Sequence, residues 1–459
     1  MDRICVGRYI NVNELPGQCF MEGFSVSGGG FNGGWTEPSQ EVRTTYGLCD
    51  NLTKTVGKHI ISAGVNLQHQ FAEELTQYPT TPIVGFNGQY TGNGLADFLL
   101  GYMQSYTQGA GEIASVSGWQ PGFYGQDQYR MRPNLSITAG LRWEPNLAPG
   151  VAGGRGAAYV PGQQSTLFAN APLGLVFPGD KGISKGLMPN TYGYWEPRVG
   201  VAWQTQALPN TSFRAGFGLF AQPLQYSMYN HTADISPFSP TFGLFGGSNT
   251  PLSLSDPWSQ NAGTNFQSPF PPFAPFKPPS DAPFSPPFTI PAVFAQNFHL
   301  GITESWNASV EHGFEQNLAV RLAYVGSESY HQSDIIDQNP GVFANADARS
   351  NPNFFQILTN FSNGTASYNS LQAGVEKHLN KGLQFQSNFT WSKTLDTATS
   401  GNISFGNNAL PNPFNLGYNR GISGENVPFI WVSNLVYTSP GLSGRNQVLR
   451  QALGGWELS

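Results

Sequence analysis

Leu135-Ser136-Ile137-Thr138-Ala139-Gly140-Leu141-Arg142-Trp143-Glu144 alternates without a break. Successive side chains of a strand point to opposite faces. One face of this stretch therefore carries Leu135, Ile137, Ala139, Leu141 and Trp143. The other carries Ser136, Thr138, Gly140, Arg142 and Glu144. Just ahead stands Arg132-Pro133-Asn134, a turn in which Pro fits because it cannot donate to a strand ladder. Two alternating arms around a short polar turn recur five times along the chain.

The expected hairpins run over about 41–74, 113–145, 194–222, 304–329 and 368–395. Their turns are Val56-Gly57-Lys58, Arg132-Pro133-Asn134, Leu208-Pro209-Asn210, Glu315-Gln316-Asn317 and Asn380-Lys381-Gly382, and a sixth pair begins near Phe429. Long Gly/Pro/Asn-rich connections separate the pairs. Hairpins with such unequal connections are the pattern of an outer-membrane β-barrel. There the apolar face meets lipid, the polar face lines the lumen, turns are short on the periplasmic side, and loops are long outside. The fold class expected is all-β: an antiparallel transmembrane β-barrel portion of about 11–14 strands. Residues 1–40 read as a loop-like N-terminal segment and 41–459 as the barrel portion.

Composition agrees. Only 11% of the 459 residues are charged, against ~25% in soluble domains. Aromatic residues reach 13%, hydrophobic residues only 39%, and no apolar run approaches the ~18 residues of a transmembrane helix. The net charge of −6, with no basic patch, excludes a nucleic-acid surface. Cys5, Cys19 and Cys49 form no CxxC pair, which argues against zinc. Cys5 and Cys19 could form one disulfide, or all three could stay unpaired. The start, Met1-Asp2-Arg3-Ile4-Cys5-Val6, lacks the apolar segment of a secretory signal. A barrel protein needs one, so the chain is expected to begin inside a longer protein.

Four tryptophans on the apolar faces mark the outer rim. Trp143 and Trp391 lie about ten residues after their turns, Trp306 about ten before its own, and Trp195 thirteen before Leu208. A transmembrane strand takes ~9–11 residues, so these four are the candidate aromatic girdle. The candidate lumen-facing charges are Arg142, Glu144, Glu196, Arg198, Arg214, Glu311, Arg321 and Glu376, expected to pair with one another in a wet interior.

Several blocks resemble the barrel of TonB-dependent receptors, and most closely the Oar-like receptors that carry a carboxypeptidase-regulatory-like N-terminal domain. They are Phe123-Tyr124-Gly125-Gln126-Asp127-Gln128-Tyr129-Arg130 with the turn and strand that follow, and Ala96-Asp97-Phe98-Leu99-Leu100-Gly101. The stretch from Tyr368-Asn369-Ser370-Leu371 through Thr390-Trp391-Ser392-Lys393-Thr394-Leu395-Asp396 and the closing Leu453-Gly454-Gly455-Trp456-Glu457-Leu458-Ser459 add two more. Together these span roughly residues 20–459. The resemblance implies a 22-stranded barrel preceded by a signal peptide, a small β-sandwich and a plug. This chain matches about half a barrel, with signal, sandwich, plug and final strands absent. The implied function is active uptake of an unidentified ligand across the bacterial outer membrane, without catalysis. The implied partners are outer-membrane lipid, an extracellular ligand, and the TonB complex acting through the absent plug region.

Other motifs fail on context. Gly28, Gly30 and Gly33 spell G-x-G-x-x-G, but Pro38 cuts short any helix opening there, so no dinucleotide is expected. The seven histidines show no metal-binding spacing, and no cofactor is expected. Asp334, Asp337 and Asn339 lack EF-hand spacing and read as a solvated loop. In the Phe/Pro-rich loop, Pro269 to Phe273 and Pro286-Pro287-Phe288 read as neither strand nor helix. Phe270, Phe273 and Phe288 there are candidate ligand-contacting aromatics. The alternative function is a non-transporting surface β-protein, such as an adhesin or carbohydrate-binding module. A sandwich of that kind would not leave charges at every second position.

Overall fold

The computed structural model describes residues 23–27, 31–33, 39–76, 82–253, 257–259, 277–314, 317–341, 348–380, 382–397, 409–439, 447–448, 452 and 456–459. Cys5, Cys19, Gly28, Gly30, Phe270 and Phe273 lie outside them. Cys49 is a free, exposed thiol.

A strand that is apolar on one face and polar on the other must pair along both edges while keeping two solvents apart. Twelve strands meet this demand in one antiparallel meander. They are β1 (Ser39–Val56), β2 (His59–Thr76), β3 (Glu112–Arg132), β4 (Leu135–Trp143), β5 (Trp195–Gln204) and β6 (Thr211–Ala221). The path continues through β7 (Ile302–Phe314), β8 (Leu318–Asp337), β9 (Phe354–Asn380), β10 (Leu383–Asp396), β11 (Phe429–Thr438) and β12 (Glu457–Leu458). Each strand is hydrogen-bonded to its neighbours in sequence, and among the described residues β1 and β12 are the two ends of the path. The five expected hairpins are β1–β2, β3–β4, β5–β6, β7–β8 and β9–β10. Gly57, Asn210, Asn317 and Gly382 take positive φ in four of their turns (59°, 61°, 61° and 82°). Gly and Asn tolerate that region most readily.

Exposed large apolar side chains are carried on the wall. Leu48 and Leu52 of β1, Val199 and Val201 of β5, Leu322 of β8, Leu371 of β9 and Phe389 of β10 are all exposed. β1 departs from the pattern. Asp50 pairs with Val65 and Lys54 with Ile61, which places both charges on the outward face.

The buried core sits in the long connections. Leu187, Met188, Tyr194, Leu224, Tyr226, Met228, Tyr229, Phe294, Phe298 and Leu300 form one apolar cluster. Phe168, Phe177, Phe238, Ile290, Val293, Phe354 and Ile357 belong to a second. The described parts of the connections between β4 and β5 and between β6 and β7 thus pack together, against Ala72 of β2 and Val116 of β3.

Two expectations change, and one short helix is new. The segment expected to be loop-like contributes strands Gly23–Val26 and Phe31–Gly33 to a separate five-stranded sheet with Ile83–Phe86, Ser105–Gly109 and Thr241–Phe245. Phe288, read as irregular, opens the strand Phe288–Phe294, which pairs in parallel with the start of β9. Pro291 falls where that register shifts between Ile290 and Val293, a position at which a missing N–H does no harm. The block Ala96-Asp97-Phe98-Leu99-Leu100-Gly101 forms helix α1 (Gly94–Leu100). Asn93 caps it by accepting from the Leu95 and Ala96 amides, and Gly101 closes it at φ 71°.

Candidate functional site

Residues directly opposite one another in an antiparallel pair share a face. Arg142 stands opposite Glu196 on β5 and Tyr124 on β3. Arg198 faces Gly218, Arg214 faces Ser309, Glu311 faces Arg321, and Arg321 faces Gly374. Glu376 faces Gln386. With strand alternation, this register places all eight predicted lumen-facing residues on one side of the wall.

Several of them pair locally. Arg142 Nε donates to Glu144 Oε1 at 2.6 Å, and Arg198 Nη2 to Glu196 Oε2 at 2.8 Å. The Arg198 guanidinium also lies 4.4 Å from the centre of the Phe220 ring. Arg214 and Glu311 approach only to 3.9 Å. A Cβ on Gly122 would sit 2.6 Å from Arg142 Nη2 and 2.9 Å from Glu144 Oε1, so the bare backbone makes room for that pair. The exposed Arg214–Glu311 pair is worth ~0–1 kcal/mol, and for the buried Glu196 the cost of desolvation offsets much of the attraction to Arg198. The pairs therefore set the polarity of this face and add little to its stability. A hollow of about 480 Å³ on this wall is lined by polar Gln126, Thr138, Arg142 and Arg198 together with Tyr124 and apolar Leu141 and Val199.

The four predicted girdle tryptophans occupy the opposite face. Trp143 is paired with Trp195 on one side and Phe123 on the other. The rings stack at 5.6 and 5.8 Å, with interplanar angles of 21° and 24°. Trp143 Nε1 donates to the Tyr192 carbonyl at 2.8 Å, which satisfies its polar tip. Trp306 lies opposite Gly326, and Trp391 opposite Leu371 and Phe429.

A third grouping lies at the outer end of β2 and β3. Glu74 and Glu112 face inward there. Glu74 is the sixteenth residue of its strand, beyond the ~9–11 that cross a bilayer. His231, from the connection after β6, enters between the two carboxylates. Its Nδ1 is 3.0 Å from Glu112 Oε2 and its Nε2 is 4.0 Å from Glu74 Oε1. Burial is nearly complete, with side-chain exposures of 8% for His231, 0% for Glu112 and 12% for Glu74. The Ala233 amide donates to Glu112 Oε1 at 3.2 Å. Burial pushes the Glu112 carboxyl up to about 8, against facing backbone amides that favour its charge. Glu74 rises to about 7 through burial and then the Glu112 charge. Asp234 rises to about 7 for the same two reasons.

The wall, the belt and the unequal connections coincide with a match to a known family. The model for the outer membrane beta barrel domain matches residues 6–459. The chain belongs to that family.

This outer-membrane β-barrel chain is accordingly located in the bacterial outer membrane. No curated protein matches its sequence. It resembles the outer membrane transporter YddB from Escherichia coli at 11% identity and a TM-score of 0.50, over 91% of this chain and 44% of that one. That likeness concerns the fold. The FrpB iron transporter from Neisseria meningitidis aligns at 13% identity over 87% of this chain and 42% of its own, with a TM-score of 0.41. The ferripyoverdine receptor of Pseudomonas aeruginosa aligns at 11% identity over 88% and 37%, with a TM-score of 0.44. The barrel chain thus spans less than half the length of these structures.

Some candidates of the sequence fall elsewhere. Phe288 is half-buried and packs edge-on against Phe354 at 5.4 Å, inside the loop core and not on display. Asp334, Asp337 and Asn339 form no solvated loop. Asp334 and Asn339 are buried, and Asn339 Nδ2 donates to the carbonyls of Asn351 and Phe354 at 2.9 and 2.7 Å. The Arg349 guanidinium lies 3.5 Å from Asp337. The histidine reading missed His231, because its partners come from strands more than a hundred residues earlier. Alternation places Glu74 on the polar face, but nothing local in the sequence marks the return of the connection to it.

Proposed function

We propose that this chain is part of the barrel of a TonB-dependent outer-membrane transporter, taking up an extracellular ligand that the plug and outer loops capture. The observation that carries this reading is the two-faced wall. One side holds Arg142, Glu144, Glu196, Arg198, Arg214, Glu311, Arg321 and Glu376, and the other holds Trp143, Trp195, Trp306 and Trp391. A lipid-facing belt with a charged, wet interior suits a wall enclosing a conduit. Twelve strands are seen among the described residues, with β1 and β12 at the ends of the path, and the chain spans less than half the length of the transporter structures it resembles. The Arg–Glu pairs keep the interior polar and contact the plug. Ligand contact falls to aromatics displayed on the outer connections, such as Phe245, Phe414 and Tyr418, which are all exposed.

Uptake in whole cells tests this reading. Candidate iron complexes, oligosaccharides and peptides are supplied to cells with and without the gene, and with and without a protonophore. Accumulation that needs both the gene and the proton-motive force is the expected result. Gene-dependent adhesion or sugar binding that is indifferent to the protonophore would favour the non-transporting surface protein.

A further inference from the structure

The cluster of Glu74, Glu112 and His231 has no part in lining a conduit. It is sealed between the outer ends of β2 and β3 and the connection that follows β6. Three acids, counting Asp234, surround one imidazole. One ligand atom from each of Glu74, Glu112 and His231 falls within a sphere of mutual separation of 4.8 Å.

Two details separate this from a chance meeting of acids. Among the described residues Glu74 Oε2 is buried without a hydrogen-bond partner, and Glu112 Oε2 has the His231 ring beside it and no good hydrogen bond, although buried carboxylate oxygens are ordinarily satisfied. Glu112 itself is only 2% exposed. Its Oε2 stands 3.0 Å from His231 Nδ1. Ligands bound at ~2.0–2.2 Å to one ion lie ~3–3.5 Å apart, so Nδ1 and Glu112 Oε2 are already spaced to share an ion, and Glu74, within 4.8 Å, must close in to join them. His231 also holds φ 63°, a conformation that persists where its surroundings impose it.

We propose that Glu74, Glu112 and His231 bind one divalent transition-metal ion, which ties the connection after β6 to the outer end of β2 and β3. A mixed imidazole and carboxylate set suits zinc or manganese better than calcium, which prefers six to eight oxygens. The burial of the site suits a resident ion, since a ligand captured from outside needs an open path. A dication also balances the charge of the grouped carboxylates. The proposal stands independently of whether the barrel transports anything.

The test uses the protein purified in detergent, stripped with chelator and then titrated with Zn²⁺, Mn²⁺ or Ca²⁺ alone. One equivalent of Zn²⁺ or Mn²⁺ per chain, bound at least tenfold more tightly than Ca²⁺, is the expected result. Second-shell partners alone are worth ~10–100-fold in metal affinity, so Glu112→Gln and His231→Ala should each cost at least that much. Co²⁺ loaded into the unmutated protein reports the site without a variant, through visible d–d bands that Zn²⁺ abolishes. Hydrogen exchange across 225–240 should slow on loading. Three results would overturn the proposal: no stoichiometric metal, unchanged affinity in folded His231→Ala, or Co²⁺ without such bands. The first of these would leave the imidazole as a metal-free bridge between two carboxylates.

Discussion

Arginine at Leu322 probes the face assignment directly. Leu322 is exposed on the outward side of β8, between Val310 on β7 and Ala373 on β9. It is the fifth residue of its strand counted from the short turn. A crossing of ~9–11 residues therefore places it near the bilayer midplane. A lipid-facing Arg at that depth costs ~2–4 kcal/mol, falling to ~0–1 near the interface. At about 1.4 kcal/mol per decade, Leu322→Arg should lower the folding equilibrium constant by roughly 30- to 700-fold. Tyr330→Arg, eight residues farther along the same face, should cost at most ~1 kcal/mol. Asn388→Arg, exposed on the inward side opposite Gly374, should stay within ~0.5 kcal/mol of the parent. The assay is urea titration of protein folded into lipid vesicles, read by gel migration with and without boiling. The reasoning is refuted if Leu322→Arg and Asn388→Arg fall within ~0.5 kcal/mol of each other. A larger cost at Asn388 would mean that the faces are reversed.

Three further outcomes follow from local geometry. A Cβ at Gly326 would sit 2.5 Å from Trp306 Nε1, so Gly326→Ala should displace the indole and cost ~1–3 kcal/mol in urea titration. A Gly326→Ala midpoint equal to the parent's would show that the indole does not rest there. Burial, and then the Asp396 charge, raises the Asp334 carboxyl to about 6. The folded form therefore holds a proton that the unfolded chain has released, and the associated stability, on the order of 2–3 kcal/mol, is present below about pH 4 and lost as pH rises through about 6. Asp334→Asn should flatten that loss, read as amide exchange near the end of β8 at pH 4.5 and 8 after correction for intrinsic rates. Asn93→Ala should cost helix α1 ~1 kcal/mol, while Asn93→Asp should keep the cap, as reported by exchange across 94–100.

The wall was legible because a membrane strand has two solvents to satisfy. Leu135 to Glu144 must alternate, and Pro133, Asn210, Asn317 and Gly382 each suit the turn they occupy. Register followed from the same alternation, since a slip of one residue would turn every side chain to the wrong face. The connections carry no such constraint. Phe168, Phe177 and Phe238 come from two distant segments yet pack together within 4.7–5.9 Å, and no period announces that. The strand Phe288–Phe294 was hidden by its prolines, because a parallel pairing with a register shift tolerates what a regular ladder would not. Glu74, Glu112 and His231 meet only once β2 and β3 are paired and the connection after β6 has folded back. In α1 the local signal was complete, with Asn93 before the helix and Gly101 after it. The abundance of loop signals around it masked a helix of only seven residues.

The most direct test of the barrel account is gel migration of the protein taken from washed outer-membrane fractions. The account predicts that the protein stays with the membrane through alkaline carbonate and migrates differently before and after boiling, as a hydrogen-bonded barrel wall that resists detergent must. Release by carbonate, together with one mobility under both conditions, would contradict the claim that the Trp-bearing face of this sheet meets lipid.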